Sequence, residues 1–328
     1  MPSQPPLPHL LTPYISTPPR ESLTAVSSVV GATGNWLILR FLYAALTDAG
    51  LRGVEGERKR KVVLGLDLAR LTERREFAFV DGLSELFCGP TASAPSRAPS
   101  QHLASGPTPR TTLPTRPHPG ITSLRQPPPP SAGSDGPPQI TKDAGQVKRL
   151  RLSGNGAAAL DALERDITAV IKQLKASGLG EDEESEVSLI VDQPDLLLAA
   201  TGPSKGIGAT EMAEWIIGLQ QAATATVATI SADSPLIHNA SASAHHIATP
   251  LETEHAAFAI GLAHRAEMVM QLRNLETGAA RDVSGVLRVS KGGAWGQRDS
   301  AGQETWEEKE VLYFVQRDGS VSVFGRGE

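Results

Sequence analysis

The chain has 328 residues, 40% of them hydrophobic and only 4% aromatic, with a formal net charge of −5 and one cysteine, Cys88. Such a chain can bury a sizeable core, but the core must be aliphatic. The charge excludes a global basic field for nucleic acid, so any polyanion contact is local. A lone cysteine excludes an internal disulfide and a cysteine-built zinc site, and it fits a reducing compartment.

Met1 to Pro19 carries seven prolines and no basic residue, unlike a secretory signal. Residues 1–22 read as a loosely ordered arm, and no stretch is long and apolar enough to span a bilayer. The chain is expected to be soluble and intracellular, in cytoplasm and nucleus. A strand is expected at Leu23–Val30, a helix at Trp36–Ala49, a strand at Lys61–Leu66, a helical turn at Leu68–Arg74 and a strand at Phe77–Val80.

Fourteen of the 25 prolines then fall between Pro90 and Pro138, among Ser, Ala, Thr and Gly. Such a composition cannot bury enough apolar surface to offset the entropy of ordering. About 89–146 therefore reads as a Pro/Ser-rich disordered insertion within a single domain, 23–328.

After it, Leu160, Leu163, Ile167, Val170, Ile171 and Leu174 share one face of a helix over Ala157–Lys175. Val187–Val191 reads as a buried strand ending at Asp192, Ala209–Ala222 as a helix, Ala225–Ile230 as a buried strand and Glu252–His264 as a helix. Short strands at Met268–Leu272, Gly285–Val289, Val311–Val315 and Ser320–Phe324 finish the chain. The alternation argues an α/β domain with a mainly parallel sheet, helices on both faces and antiparallel strands at the C-terminal end.

The first strand–turn–helix has the form of a nucleotide-hydrolase corner with the wrong turn. A phosphate-binding loop needs two glycines five apart followed by Lys and Ser/Thr. Here Gly31-Ala-Thr-Gly-Asn-Trp36 places Trp36 fifth from Gly31, and the first lysine of the chain is Lys59. Asp192 sits where hydrolases carry a magnesium-directed carboxylate, and without a phosphate loop it reads as an ordinary strand-end acid. Thr201-Gly-Pro-Ser-Lys-Gly-Ile-Gly208 matches the glycine-rich turn of short-chain dehydrogenases. The dehydrogenase reading fails because Tyr14, Tyr43 and Tyr313 lack a lysine four residues on. The segment reads instead as a flexible loop after a strand, with Lys205 exposed at its tip.

His238, His245 and His246 fall in a small-residue loop, and His255 and His264 on a helix nine apart, not four. Neither spacing makes a metal site. No GxSxG elbow occurs, and Cys88 has no helix N-terminus behind it to activate it. No catalytic residue, cofactor or metal is expected. Arg281, Arg288, Lys291 and Arg298 form a candidate basic lip for a phosphate backbone, with Arg288 and Ser290 facing away from Leu287 and Val289.

Gly34-Asn-Trp-Leu-Ile-Leu-Arg-Phe-Leu42, Gly65-Leu-Asp-Leu-Ala-Arg-Leu71 and Phe77-Ala-Phe-Val-Asp-Gly-Leu83 come first in a series of matching blocks. Leu189-Ile-Val-Asp-Gln-Pro-Asp-Leu-Leu-Leu198, Ser231-Ala-Asp-Ser-Pro235 and Ser284-Gly-Val-Leu-Arg-Val-Ser-Lys-Gly-Gly293 follow. In that order they resemble the Elongator complex protein 6 family in its fungal form. The resemblance implies a RecA-like domain without the phosphate loop, a pseudo-ATPase joined to Elongator proteins 4 and 5 in a hexameric ring. It implies that the ring docks on the catalytic half of Elongator, binds tRNA and supports wobble-uridine (U34) modification. Loops after the central strands, Pro194–Gly208 and Ala232–Pro250, would then face the ring interior. Lys205, His245 and His246 would be RNA-contact candidates beside Arg281, Arg288 and Lys291. The alternative is an independent RecA-like ATPase using Gly202–Gly208 with Lys205 as a divergent phosphate loop.

Overall fold

The structure is a computed structural model that describes residues 8–16, 18–52, 68–88, 147–176, 186–237, 247–276, 278, 280–297 and 306–325. In chain order the elements are α1 (Thr12–Ile15), β1 (Ser22–Ser28), α2 (Asn35–Arg52), α3 (Leu68–Glu73), β2 (Val80–Asp81), β3 (Lys148–Arg149) and α4 (Gly156–Lys175). They continue with β4 (Ser188–Val191), α5 (Asp195–Lys205), α6 (Ala209–Ala222), β5 (Ala225–Ser231), α7 (Ser234–Ile237) and α8 (Pro250–Arg265). The chain ends with β6 (Met268–Arg273), β7 (Gly285–Lys291), β8 (Lys309–Val315) and β9 (Val321–Phe324).

Seven strands form one sheet in the order β4-β5-β1-β6-β7-β8-β9. The first four run parallel and the last three are added antiparallel. The mainly parallel α/β sheet with antiparallel strands at the C-terminal end, expected from the sequence, is the one present. The first strand sits in the middle, flanked by two strands that come much later in the chain. Such a crossover leaves the β1–α2 corner at the carboxyl ends of the parallel strands, the position where open α/β sheets hold ligands.

Strand alternation divides the interior in two. Leu23 and Ala25 of β1, with Ala228 and Ile230 of β5, pack under α4, α6 and α8. On the other face Val26 and Val227 meet α1, α2 and the antiparallel strands. The stripe foreseen on α4 is buried at Leu160, Leu163, Ile167 and Ile171, each contributing about 1.5–3 kcal/mol of apolar burial. α8 begins with a reciprocal cap that its sequence announces: Thr249 Oγ1 accepts from Glu252 N, and Glu252 Oε2 accepts from Thr249 N.

Four expectations change. Residues 8–16 of the N-terminal stretch include α1 and bury Leu11, Tyr14 and Ile15, and the Tyr14 hydroxyl donates to Glu307 O at 2.8 Å. Phe77–Val80 is not a strand of the main sheet. Only Val80–Asp81 pairs, parallel to Lys148–Arg149, as a separate two-stranded sheet. Asp81 ends that strand by accepting from the N–H groups of Leu83 and Ser84. β4 is an edge of the sheet among the described residues and its side chains are only partly covered, so it is not a buried central strand. Finally, most of Pro194–Gly208 is helical as α5, kinked where Gly202 leaves helical geometry at φ 49° and ψ −155°.

Lys61–Leu66 and the insertion, residues 89–146, lie outside the described residues. Among those described, no helix is long and apolar enough to cross a membrane.

Candidate functional site

The β1–α2 corner is a tight turn. Val29 O accepts from Ala32 N at 2.9 Å, and Gly31 takes φ +91°, the left-handed geometry that the third position of such a turn demands. Two side chains from neighbouring strand ends close on it. Asp233, just after β5, accepts from Val30 N at 2.9 Å, and Asn274, just after β6, donates from Nδ2 to Val30 O at 3.0 Å. A methyl group at Gly31 would lie 3.2 Å from Asn274 Oδ1. Gly34 packs against Val26 and Leu272, and Trp36 is buried in the second core. The turn's N–H at Val30 thus faces a carboxylate of the chain itself, and its glycines serve chain reversal and close packing.

The second glycine-rich segment, Thr201–Gly208, begins inside helix α5, not after a strand, and leads into α6. Lys205 ends α5 and is partly buried, so it is not the exposed tip that the sequence suggested. At the start of α6, Gly208 N donates to Glu211 Oε2 at 2.9 Å and Ala209 N to Glu254 Oε2 at 2.6 Å. Carboxylates are what a helix N-terminus prefers. Two of them occupy the N–H groups that a phosphate would use in the alternative reading.

Asp192 is exposed at the end of β4. The Thr229 hydroxyl donates to its Oδ1 at 2.7 Å and accepts from Gln193 N at 2.7 Å. The strand-end acid is therefore satisfied by a side chain of β5.

The basic candidates do not form one group. Arg281 precedes β7 and Lys291 ends it, so a seven-residue strand separates them, about 20 Å at ordinary strand rise. Between them Arg288 is exposed and registers opposite Gln271 and Glu310, while Leu287 and Val289 are buried as expected. Lys291 Nζ sits 4.7 Å from the centre of the Trp295 ring and 6.0 Å from that of Trp306. Lys205 lies on a different part of the chain, at the α5–α6 junction. His238, His245, His246 and Arg298 fall outside the described residues. Among those described, no three His, Cys, Asp or Glu side chains gather as a metal site.

One constellation has no counterpart in the sequence reading. Asp195 and His255, buried at 3% and 2% exposure, meet at 3.4 Å through Oδ2 and Nε2. His255 Nδ1 lies 3.3 Å from Leu236 O, and Ser231 N donates to Asp195 Oδ2 at 3.2 Å. Burial by itself raises the Asp195 carboxyl; contacts with His255 and Ser231 outweigh it and hold the group below the usual carboxylate range. The pair joins the starts of α5 and α7 to α8 just beyond the carboxyl end of β5. A spacing of 60 residues hid it. The available signal was a histidine on the helix face that Phe258, Ala259 and Leu262 also line.

No family model matches the chain, and no curated protein matches it with significance. Among solved structures it is similar to a KaiC-like protein of the hyperthermophilic archaeon Pyrococcus horikoshii OT3, at 10% identity and a TM-score of 0.42, over 98% of this chain and 97% of that one. At that level the fold assignment stands on the strand order.

Proposed function

We propose that the chain is a non-catalytic RecA-like scaffold, a pseudo-ATPase subunit of the Elongator ring assembled with Elongator proteins 4 and 5. In this reading the ring docks on the catalytic half of Elongator, binds tRNA and supports wobble-uridine modification. The observation that carries the non-catalytic part is the Asp233 carboxylate on Val30 N. An anion of the protein already stands at the corner where a triphosphate would have to be gripped, and a second anion there would meet repulsion. Carboxylates on Gly208 N and Ala209 N weigh in the same way against the divergent loop at Gly202–Gly208.

The ring assignment draws on the order of sequence blocks, from Gly34–Leu42 to Ser284–Gly293. RNA contact through local cations, sequence-blind and salt-sensitive, agrees with a chain whose net charge is −5. Co-purification of the tagged full chain, with mass spectrometry of what stays bound, tests the assembly. Recovery of two further RecA-like subunits in equal amounts supports it. A chain that runs alone, soluble and monomeric, contradicts it.

A further inference from the structure

We infer that the buried Asp195–His255 pair brackets the turn carrying Asp233 and so keeps that carboxylate on Val30 N, which shuts the β1–α2 corner. The inference rests on the closed corner of the function proposed above, and it makes Asp195 and His255 positioning residues for that corner.

Asp233 lies between two attachment points of the pair. On its N-terminal side, Asp195 Oδ2 accepts from Ser231 N at 3.2 Å. On its C-terminal side, His255 Nδ1 lies 3.3 Å from Leu236 O. The contact between Asp195 Oδ2 and His255 Nε2, at 3.4 Å, ties the two points together. Between them the backbone is a compact turn: Asp233 O accepts from Leu236 N at 2.8 Å and from Ile237 N at 3.2 Å. Ala232 N donates to Ser28 O at 2.7 Å. A displacement at Leu236 therefore moves the backbone of Asp233, and with it the carboxylate that accepts from Val30 N at 2.9 Å.

Apolar packing does little for this segment. α7 buries none of its side chains fully, and Ile237 is only partly covered by the first core. Across the contact, the Val30 side chain is 80% exposed, so packing does not fix its N–H either. Asn274 holds the carbonyl of Val30 but not its N–H. A segment with few buried apolar contacts opens locally at low cost unless polar contacts pin it. The pins here are interior ones. Asp195 at the start of α5 and His255 on α8 are both buried, and a polar contact is stronger where water is excluded. Two helices thus set the place of one anion at the rim.

The test is amide-resolved hydrogen exchange by NMR on the full chain, read at Val30, with the buried strand residues Ala25 and Ala228 as references. Asp233→Ala gives the open-corner rate. His255→Gln sets its amide where Nε2 stands, so it keeps a partner for Asp195 and loses the Leu236 contact. His255→Asn sets its amide where Nδ1 stands and keeps that contact. The inference expects Val30 in H255Q to exchange about tenfold faster than in the parent, the worth of one hydrogen bond, with Ala25 and Ala228 unchanged. It expects H255N to keep the parent rate. Asp195→Asn weakens the Ser231 end of the bracket; it should speed Val30 in the same way, and it decides the matter where H255Q does not fold. If D233A speeds Val30 and neither H255Q nor D195N does, the inference is overturned while the closed corner stands. A rise shared equally by Val30, Ala25 and Ala228 is a loss of overall stability alone and also overturns it, as does a rise of equal size in H255N. If D233A leaves Val30 at the parent rate, Asp233 does not shut the corner, and the closed-corner reading falls with the inference.

Discussion

Asp195 and His255, 60 residues apart, are in contact at 3.4 Å in the interior, and through Leu236 and Ser231 the same contact reaches α7 and β5. Removing one partner leaves the other buried and short of one hydrogen bond, at a cost of about 1–3 kcal/mol. His255→Ala and Asp195→Ala should each lose that much by urea denaturation. A loss below 1 kcal/mol for both would show that the pair holds nothing together.

The same pair sets a pH dependence. The folded-state pKa of Asp195 lies below its unfolded value, which is about 3.9. Between those two values the unfolded chain binds more protons, so stability rises with pH. The contribution is complete above the unfolded pKa and is lost as pH falls through the folded one. Urea midpoints measured from pH 3 to 7 should climb and level off. Asp195→Asn should remove part of that climb, and an identical pH profile in the variant would contradict the assignment.

Gly31→Ala asks a side chain to adopt φ +91° with Asn274 Oδ1 at 3.2 Å. A non-glycine residue held there costs about 1–3 kcal/mol. The melting temperature should fall accordingly, whereas an unchanged value would mean that the turn is looser than its hydrogen bonds imply.

Gly292 is tighter still. An added methyl group would run into the Ala266 carbonyl, which is backbone and cannot swing aside. Gly292 N donates to Glu267 O at 2.9 Å and Ala294 N to Ala266 O at 3.1 Å, fastening the end of β7 against the α8–β6 turn. Gly292→Ala should destabilise the chain by about 1–3 kcal/mol, the usual range for overpacking. Gly296, with nothing within 4 Å of an added methyl group, is the contrasting site, although its positive φ adds backbone strain to any substitution there.

The parts of the fold that were legible are those governed by one period. The stripe from Leu160 to Ile171 and the runs at Ala225–Ile230 and Gly285–Val289 each declare their buried face locally. Tertiary partners decided the rest. Tyr14 and Ile15 lie among prolines that dilute any pattern, yet they are buried because the second core has room for them. Leu196 to Ala200 reads as a helix only once Asp195 is known to be anchored by His255. The glycines at 292 and 293 suggest a solvated hairpin in sequence, and their purpose is close approach of two backbones. The faulty phosphate turn was visible in the letters of Gly31–Trp36, but Asp233 and Asn274, which close it, follow strand ends and stand 203 and 244 residues from Val30.

The central claim is that the β1–α2 corner is shut by the protein's own groups. Isothermal titration of Mg·ATP into the full chain, beside Asp233→Ala, tests it most directly. The closed corner predicts no saturable binding by the parent chain at micromolar nucleotide. Stoichiometric micromolar binding by the parent, abolished by a bulky substitution at Gly34, would contradict it.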